Sequence, residues 1–374
     1  MNKKKRVVLA GGQAVGEAMR QINPDVCAVY PITPQTPIVE YFSQAVADGK
    51  ATTEIIPVES EHSAMSACVG AAAAGARVMT ASSSQGILYM LEVLPVASAM
   101  RLPIVMAVAN RAISGPINIH GDHSDAMLMR DLGWVQIFAE DVQEAYDLTL
   151  IALKTAELSE LPTAINLDGF FVSHSVENVE LLTDWQVHNW AGKYQKKEHL
   201  LDFENPKTFG ALALPNAYFD FRKQIFDAME EAKNWFGKTV ADFQKATDRK
   251  YSLIEKYRLN DAEKALVAMG SVCGTIKEAI DEKRRQGEKI GLLKITLFRP
   301  FPYKEIKEAL RGVKEIVVLD RHLPMGSQPV LKGEVEQALD RKVKSVVFGL
   351  GGREVAKNFL EKIWTVKEDK VNFS

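Results

Sequence analysis

Three side chains in this sequence are of types that can grip and protonate a small polar ligand, and each stands where a strand gives way to a loop or helix. Arg111 ends the apolar run PIVMAVA-N. A guanidinium at the end of a buried strand offers a rigid two-pronged donor for a carboxylate. Thr33 lies in YPITPQTP, where Pro31, Pro34 and Pro37 stiffen the chain after the run VCAVY. A hydroxyl held with so little freedom suits donation to a bound oxygen. The same segment also reads as a rigid turn into a helix, with Thr36 as N-cap and Pro37 in the first turn, and the two readings are compatible. Glu59 and Glu61 open a helical stretch, SEHSAMSACVGAAAAG. Stabilisation of a carboxylate at a helix N-terminus accounts for one of them. A second acid beside a small-residue helix, in a site dried by a partner, is placed to share a proton with a heterocycle.

Other candidates carry less. GGQAVG, following the first strand, has the context of an anion-binding helix start but not the spacing of a dinucleotide fingerprint, and it reads best as a tight turn. His120-Gly-Asp-His123-Ser-Asp125 has two imidazoles close together without a cysteine or a further distant histidine, a poor metal signature; a polar loop bonded to itself and its surroundings is the better reading. Ser82, Ser83 and Ser84 lack the G-x-S-x-G frame of a hydrolase elbow. Cys27, Cys68 and Cys273 are far apart, so the chain holds neither a disulfide framework nor an iron–sulfur site, and a reducing cytoplasm fits best.

The elements that must position these residues are legible as apolar runs. VVLA, VCAVY, EIIPV, RVMTAS, PIVMAVA, WVQIFA and PTAINLD alternate with helical patterns as far as about Asp168, which predicts buried parallel strands with crossover helices. A second alternation begins near Lys264, with ALVAMG, GLLKITL, EIVVLD and KSVVFGL as about four strands. Between them, a Lys-, Glu-, Phe- and Trp-rich excursion over about 171–258 carries a helical pattern from Asp220 to Tyr257. Small residues at 60–75 predict a helix pressed closely on a neighbour. The fold class is therefore α/β, with domains expected at 1–250, including the excursion, and at 258–374. A formal net charge of −2 argues against a nucleic-acid partner, and no apolar run is long enough to span a membrane.

YPITPQTPIVE, ESEHSAMSACVGAAAAGAR, SSSQGILYMLEVLPVASAMRLPIVM, NRAISGPINIHGDHSDAMLMRDLGW, LFRPFP and GLGGRE occur in the order found in the α subunit of multisubunit pyruvate:ferredoxin oxidoreductase, which the chain closely resembles. The resemblance covers about residues 8–170 and 264–356. It implies a pyrimidine-type thiamine-diphosphate-binding domain with a parallel sheet, followed by a domain like the C-terminal domain of transketolase. Carried over residue by residue, it puts the pyrimidine-contacting acid at Glu61 instead of Glu59, the substrate-contacting threonine at Thr33 and the carboxylate-binding arginine at Arg111, with Pro31 and Ile32 beside the cofactor. The implied chemistry is oxidative decarboxylation of a 2-oxo acid with coenzyme A, or its reverse, with electrons leaving for ferredoxin through [4Fe-4S] clusters. No GDG motif with a following Asn is present for a Mg²⁺ diphosphate, the nearest approach being Gly121-Asp122-His123. The resemblance assigns that motif to a β subunit, and clusters to partner chains including γ and δ subunits. Pyruvate is the favoured substrate. A branched-chain or aromatic 2-oxo acid is the alternative within the class, and a non-catalytic scaffold subunit the alternative outside it.

Overall fold

The computed structural model describes residues 5–355, 359, 363–367 and 371–373. Each apolar run named above contributes a strand, as continuous β-branched stretches do when both faces are covered. In the first half these are β1 (Lys5–Ala10), β2 (Val26–Val29), β3 (Glu54–Pro57), β4 (Met79–Ser82), β5 (Val105–Asn110), β6 (Val135–Ala139), β7 (Thr163–Asp168) and β8 (Val176–Leu181). Strands β4, β5, β7 and β6 form a parallel sheet in that order. It continues beyond β4 through a bridge between Val78 and Val26 to β2, which pairs in parallel with β3.

Across the layer the order is β3-β2-β4-β5-β7-β6, so the chain steps outward from β2 to β3 and then returns across β2 to begin β4. The winding reverses between β2 and β4, and open α/β sheets hold ligands at the strand ends beside such a reversal. Helices cover both faces. Gly11–Ile22, Thr36–Ala47 and Val142–Ser159 enclose one apolar core, and Glu61–Ala73, Ser84–Met90 and Leu94–Ala99 enclose another.

Two local expectations fail. The run VVLA does not join the parallel sheet: β1 pairs antiparallel with β8 as a separate ribbon, and Val8 is largely exposed. Its burial is one-sided because the chain turns at once into the Gly11–Ile22 helix, whose own apolar face enters the core. The GGQAVG segment accordingly lies within that helix, as its first six residues. The amides of Gly11 and Gly12 donate to the carbonyls of Ser175 and Ser173, and a Cβ on Gly11 would lie 2.2 Å from Val172 O, so glycine serves close packing there instead of a tight turn, and these amides have partners within the chain. Second, the helix of the excursion spans Pro215–Thr247 and does not reach Tyr257. Residues Ile254–Tyr257 form β9, which pairs antiparallel with β11. Edge pairing of this kind leaves no mark on helical periodicity.

The second half contains β9, β10 (Lys264–Ala268), β11 (Ile290–Ile295), β12 (Leu297–Arg299), β13 (Glu315–Asp320), β14 (Lys344–Val347) and β15 (Asn372–Phe373). The four expected strands are the centre of a six-stranded sheet ordered β15-β14-β13-β10-β11-β9. Strand β12 instead pairs antiparallel with β6 of the first sheet, so the halves share backbone hydrogen bonds. Buried charge joins them as well. Asp168, at the end of β7, lies 2.6 Å from His123 Nε2 and accepts from Arg321 Nη1 at 2.9 Å and Ser271 N at 2.8 Å. Burial would raise its pKa, but Arg321 and His123 together hold it well below the usual carboxylate range. Lys294, 1% exposed, is ringed by Glu140 and Glu144 from the first half and Glu255 from the second.

Candidate active site at the strand ends

Arg111 follows the last residue of β5 and is 7% exposed. Its backbone N–H donates to Asp125 Oδ2 at 2.9 Å, its Nε to Asn118 O at 2.9 Å and its Nη1 to Thr33 O at 3.0 Å. No carboxylate forms a salt bridge with this guanidinium among the described residues, and Nη2 has no partner among them. Burial draws its pKa down, with Asp125 working in the opposite direction, yet a guanidinium stays charged across the physiological range. A buried cation steadied by neutral carbonyls is open to an anionic ligand.

The loop from β2 brings Thr33 to the same place. Ile32 O accepts from Gln35 N at 2.8 Å, and buried Gln35 donates from Nε2 to Ala81 O of β4 at 3.1 Å. The helix that follows begins at Thr36, so Gln35 occupies the N-cap position expected for Thr36. Thr33 itself is exposed. Its carbonyl meets Arg111, and its hydroxyl has no partner among the described residues. Pro31 is exposed and Ile32 partly so, at the open side of the loop.

Glu61 is the first residue of the Glu61–Ala73 helix, behind Ser60 as N-cap. It is 7% exposed and makes no hydrogen bond or ion pair among the described residues. It lies against Gly86 of the next strand-to-helix turn: a Cβ there would stand 2.8 Å from Glu61 Oε1 and 2.4 Å from Ser82 Oγ. Ser82 Oγ is itself buried without a partner. Glu59, by contrast, is exposed, and its carboxylate accepts from Ser63 Oγ, which holds its pKa below the usual value. An unpartnered buried carboxylate beside an orphaned hydroxyl and a residue with no side chain is a place where a polar heterocycle could be received.

One buried acid links these parts. Asp125 Oδ2 accepts from Ser84 N at 3.0 Å as well as from Arg111 N, and Oδ1 accepts from Asn110 Nδ2 at 2.9 Å and Ala126 N at 2.7 Å. Ser84 stands two residues before Gly86, so Asp125 ties the turn under Glu61 to the strand end carrying Arg111. Burial raises the Asp125 pKa to about 6, against the hydrogen bonds it accepts. In the sequence Asp125 reads only as part of a self-bonded polar loop. The loop does bond to itself and its surroundings, through Asp122 to Ser124 and His123 to Asp168, but the roles of Asp125, Gln35 and Gly86 depend on contacts that no local pattern announces.

Several large apolar side chains on these elements are exposed: Tyr30 after β2, Leu88 and Tyr89 on the Ser84–Met90 helix, and Ile117 and Ile119 on the loop after Arg111. Residues 17–240 match the profile described as pyruvate flavodoxin/ferredoxin oxidoreductase, thiamine diP-binding, and residues 262–358 that of pyruvate:ferredoxin oxidoreductase core domain II. The chain is 51% identical over 374 residues to the pyruvate synthase subunit PorA of Thermotoga maritima, covering 98% of this chain and 95% of that one. It is 42% identical to the ketoisovalerate oxidoreductase subunit VorA of Pyrococcus abyssi, covering 93% and 89%. Among solved structures, the 2-oxoglutarate:ferredoxin oxidoreductase from Magnetococcus marinus superposes with a TM-score of 0.71 at 18% identity, over 96% of this chain and 65% of that one. A split-gene transketolase superposes with a TM-score of 0.55 at 13% identity, over 95% and 93%. The last two likenesses concern the fold.

Proposed function

Because the chain belongs to the pyruvate flavodoxin/ferredoxin oxidoreductase family, we propose that it acts as the α subunit of a pyruvate:ferredoxin oxidoreductase and supplies Glu61, Thr33 and Arg111 to an active site completed by a β subunit. The observation that carries this reading is the pairing of a buried acid and a buried cation, neither with an ionic partner among the described residues, at one reversal of the sheet. The two stretches 1–250 and 258–374 are its domains, the first receiving the pyrimidine end of thiamine diphosphate. The cofactor, when bound, supplies the carbon nucleophile that adds to a 2-oxo group and the electron sink that lets CO₂ depart.

The residues present fit that group. Glu61 shares a proton with the pyrimidine ring, and the absence of a Cβ at Gly86 keeps the space beside its carboxylate clear. Pro31 and Ile32 border the cofactor from the β2 loop. Arg111 binds the substrate carboxylate with the guanidinium edge that internal carbonyls leave free, and the Thr33 hydroxyl donates to the substrate. The β subunit brings Mg²⁺ and the diphosphate site. Partner chains, with γ and δ subunits in the complex, would hold the [4Fe-4S] clusters that supply the electron path to ferredoxin, and coenzyme A would serve as acyl acceptor. The exposed apolar side chains on these elements suit such a covering chain. No helix among the described residues is long and apolar enough to cross a membrane. The free thiols of Cys27, Cys68 and Cys273 support a cytoplasmic placement of the complex.

Pyruvate is the substrate favoured by charge. It has one carboxylate and Arg111 is one cation, whereas Arg321, the other buried arginine at this edge, is already paired with Asp168. A dianion would bring a second carboxylate to be desolvated without a partner. The 42% identity to a ketoisovalerate oxidoreductase subunit supports a branched 2-oxo acid as second reading. A scaffold role is disfavoured, since leaving Glu61 and Arg111 buried without ionic partners costs stability that a scaffold has no reason to forgo. Single-turnover kinetics of the purified complex with pyruvate, 2-oxoisovalerate and 2-oxoglutarate test the assignment, with pyruvate expected to react fastest. Arg111→Lys keeps the charge and loses the fork, so kcat/KM for pyruvate is expected to fall by roughly tenfold to a thousandfold with cofactor content intact. A preference for 2-oxoglutarate, or unchanged pyruvate kinetics in the variant, would refute it.

A further inference from the structure

The loop that follows Arg111 is held from the other half of the chain. Its outer side is bare: Ile117 is 80% exposed, and Gly115, Pro116 and Ile119 also face solvent. Ala112 N donates to His120 O at 3.0 Å, closing the loop on itself. Across the gap between the halves, Asn118 Nδ2 donates to Gly351 O at 3.0 Å, Gly352 N to Gly121 O at 2.9 Å and Gly351 N to Asp122 Oδ2 at 3.3 Å. These partners lie in GLGGRE, a motif of the second half that has no place among the site residues above.

The turn is shaped for this approach. Gly349, Gly351 and Gly352 have φ of 62°, 57° and 82°, a region that residues with a Cβ seldom adopt. A Cβ on Gly351 would also lie 2.4 Å from Asn118 Nδ2, and one on Gly352 2.4 Å from His120 Cβ. Asn118 is the pivot. Its carbonyl accepts from Arg111 Nε at 2.9 Å, while its side chain is held at both ends, Oδ1 accepting from His120 N at 2.7 Å and Nδ2 donating to Gly351. The guanidinium is thus set between two main-chain carbonyls. Thr33 O belongs to the β2 loop, and Asn118 O to a loop whose place depends on the second half.

We infer that the Gly349–Gly352 turn is a clamp that positions Arg111 through Asn118, so that the second α/β unit tunes substrate binding although none of its described residues hydrogen-bonds a side chain to Arg111. This rests on the reading of Arg111 as the carboxylate-binding residue. Asn118→Ala removes both side-chain anchors and keeps the carbonyl, and Gly351→Ala pushes directly on the anchor. In the assembled complex, Asn118→Ala is expected to raise KM for pyruvate about tenfold while kcat changes by less than about threefold, the signature of lost substrate binding without lost chemistry. Hydrogen exchange at Gly352 N should quicken in the same variant. The deciding measurement is a double-mutant cycle: in an Arg111→Lys background, Asn118→Ala should raise KM by less than about twofold, because the contact it steadies is already gone. An equal KM increase in both backgrounds, or an effect confined to kcat, overturns the clamp and leaves the role of Arg111 standing. Should Arg111→Lys alone leave KM unchanged, the reading of Arg111 falls, and the clamp with it. Gly351→Ala, if it assembles, is expected to match Asn118→Ala in direction; an unchanged KM there also counts against the clamp.

Discussion

Gly86→Ala is the sharpest test of how Glu61 is held. Gly86 lies in the first turn of the Ser84–Met90 helix and has no positive φ, so alanine suits the backbone there and only space is at issue. The added methyl would stand 2.4 Å from Ser82 Oγ, 2.8 Å from Glu61 Oε1 and 2.9 Å from Glu61 Cγ. Ordinary contact begins near 3.4 Å, so the carboxylate must withdraw by about 0.6 Å, and misplacement on this scale costs roughly tenfold to a hundredfold in rate where a proton has to be shared in line. Overpacking costs about 1–3 kcal/mol, offset by up to about 1 kcal/mol from the better helix propensity of alanine, so the subunit should still fold and assemble. The assay is turnover of the purified complex together with its thiamine diphosphate content and melting temperature. Expected are a loss of turnover of at least tenfold, a small drop in melting temperature, and a double variant with Glu61→Gln that is no slower than Glu61→Gln alone. Gly70→Ala is the control: it lies within the Glu61–Ala73 helix, and its Cβ would meet nothing within 4 Å. That change should stabilise by up to about 1 kcal/mol without touching turnover. Wild-type turnover in Gly86→Ala would show that Glu61 does not depend on this packing and would undo the argument.

Glu61→Gln is expected to keep the complex assembled and lower turnover by about a hundredfold or more, whereas Glu59→Gln, at an exposed acid bonded to Ser63, should do much less; equal losses would mean that the wrong carboxylate has been chosen. Asp125 predicts a pH dependence of opposite sign in stability and in binding. With its pKa raised to about 6 in the fold, its contribution to stability is complete below the unfolded carboxylate value near ~3.9 and is lost as pH rises through about 6. Protonation meanwhile removes acceptor capacity at an acid that holds Arg111 N, Ser84 N and Asn110, with Asp122 the nearby acid raising its pKa further. KM for pyruvate should therefore climb as pH falls below about 6 while this group favours the fold; Asp125→Asn should abolish the step in KM, and a step that survives it belongs to another group. Finally, the proposal that the diphosphate half of the site lies on a partner chain predicts that isothermal titration of the isolated subunit with thiamine diphosphate and Mg²⁺ shows no micromolar binding; micromolar affinity would contradict a shared site.

The amino-acid sequence by itself determined the layer architecture and the residue types of the candidate site. A run such as PIVMAVA is too apolar to be stable anywhere but between two helical layers, so β5 was legible in it. Arg111, Thr33 and Glu61 stood out because a cation, a hydroxyl and an acid at strand ends or a helix start bear on chemistry more than on packing. Tertiary structure alone decided the rest. Nothing in VVLA shows that β1 has one covered face and pairs with β8, and nothing in Asp220–Tyr257 shows that its last residues form an edge strand against β11. Residues as distant as Asn118 and Gly351, 233 positions apart, share a hydrogen bond. The contact of Gly86 with Glu61 and the bonds from Asp125 to two strand ends are likewise long-range. Local patterns record which face of an element is apolar, because burial acts residue by residue. They do not record which polar group an element will meet, because that partner is chosen by the packing of whole layers.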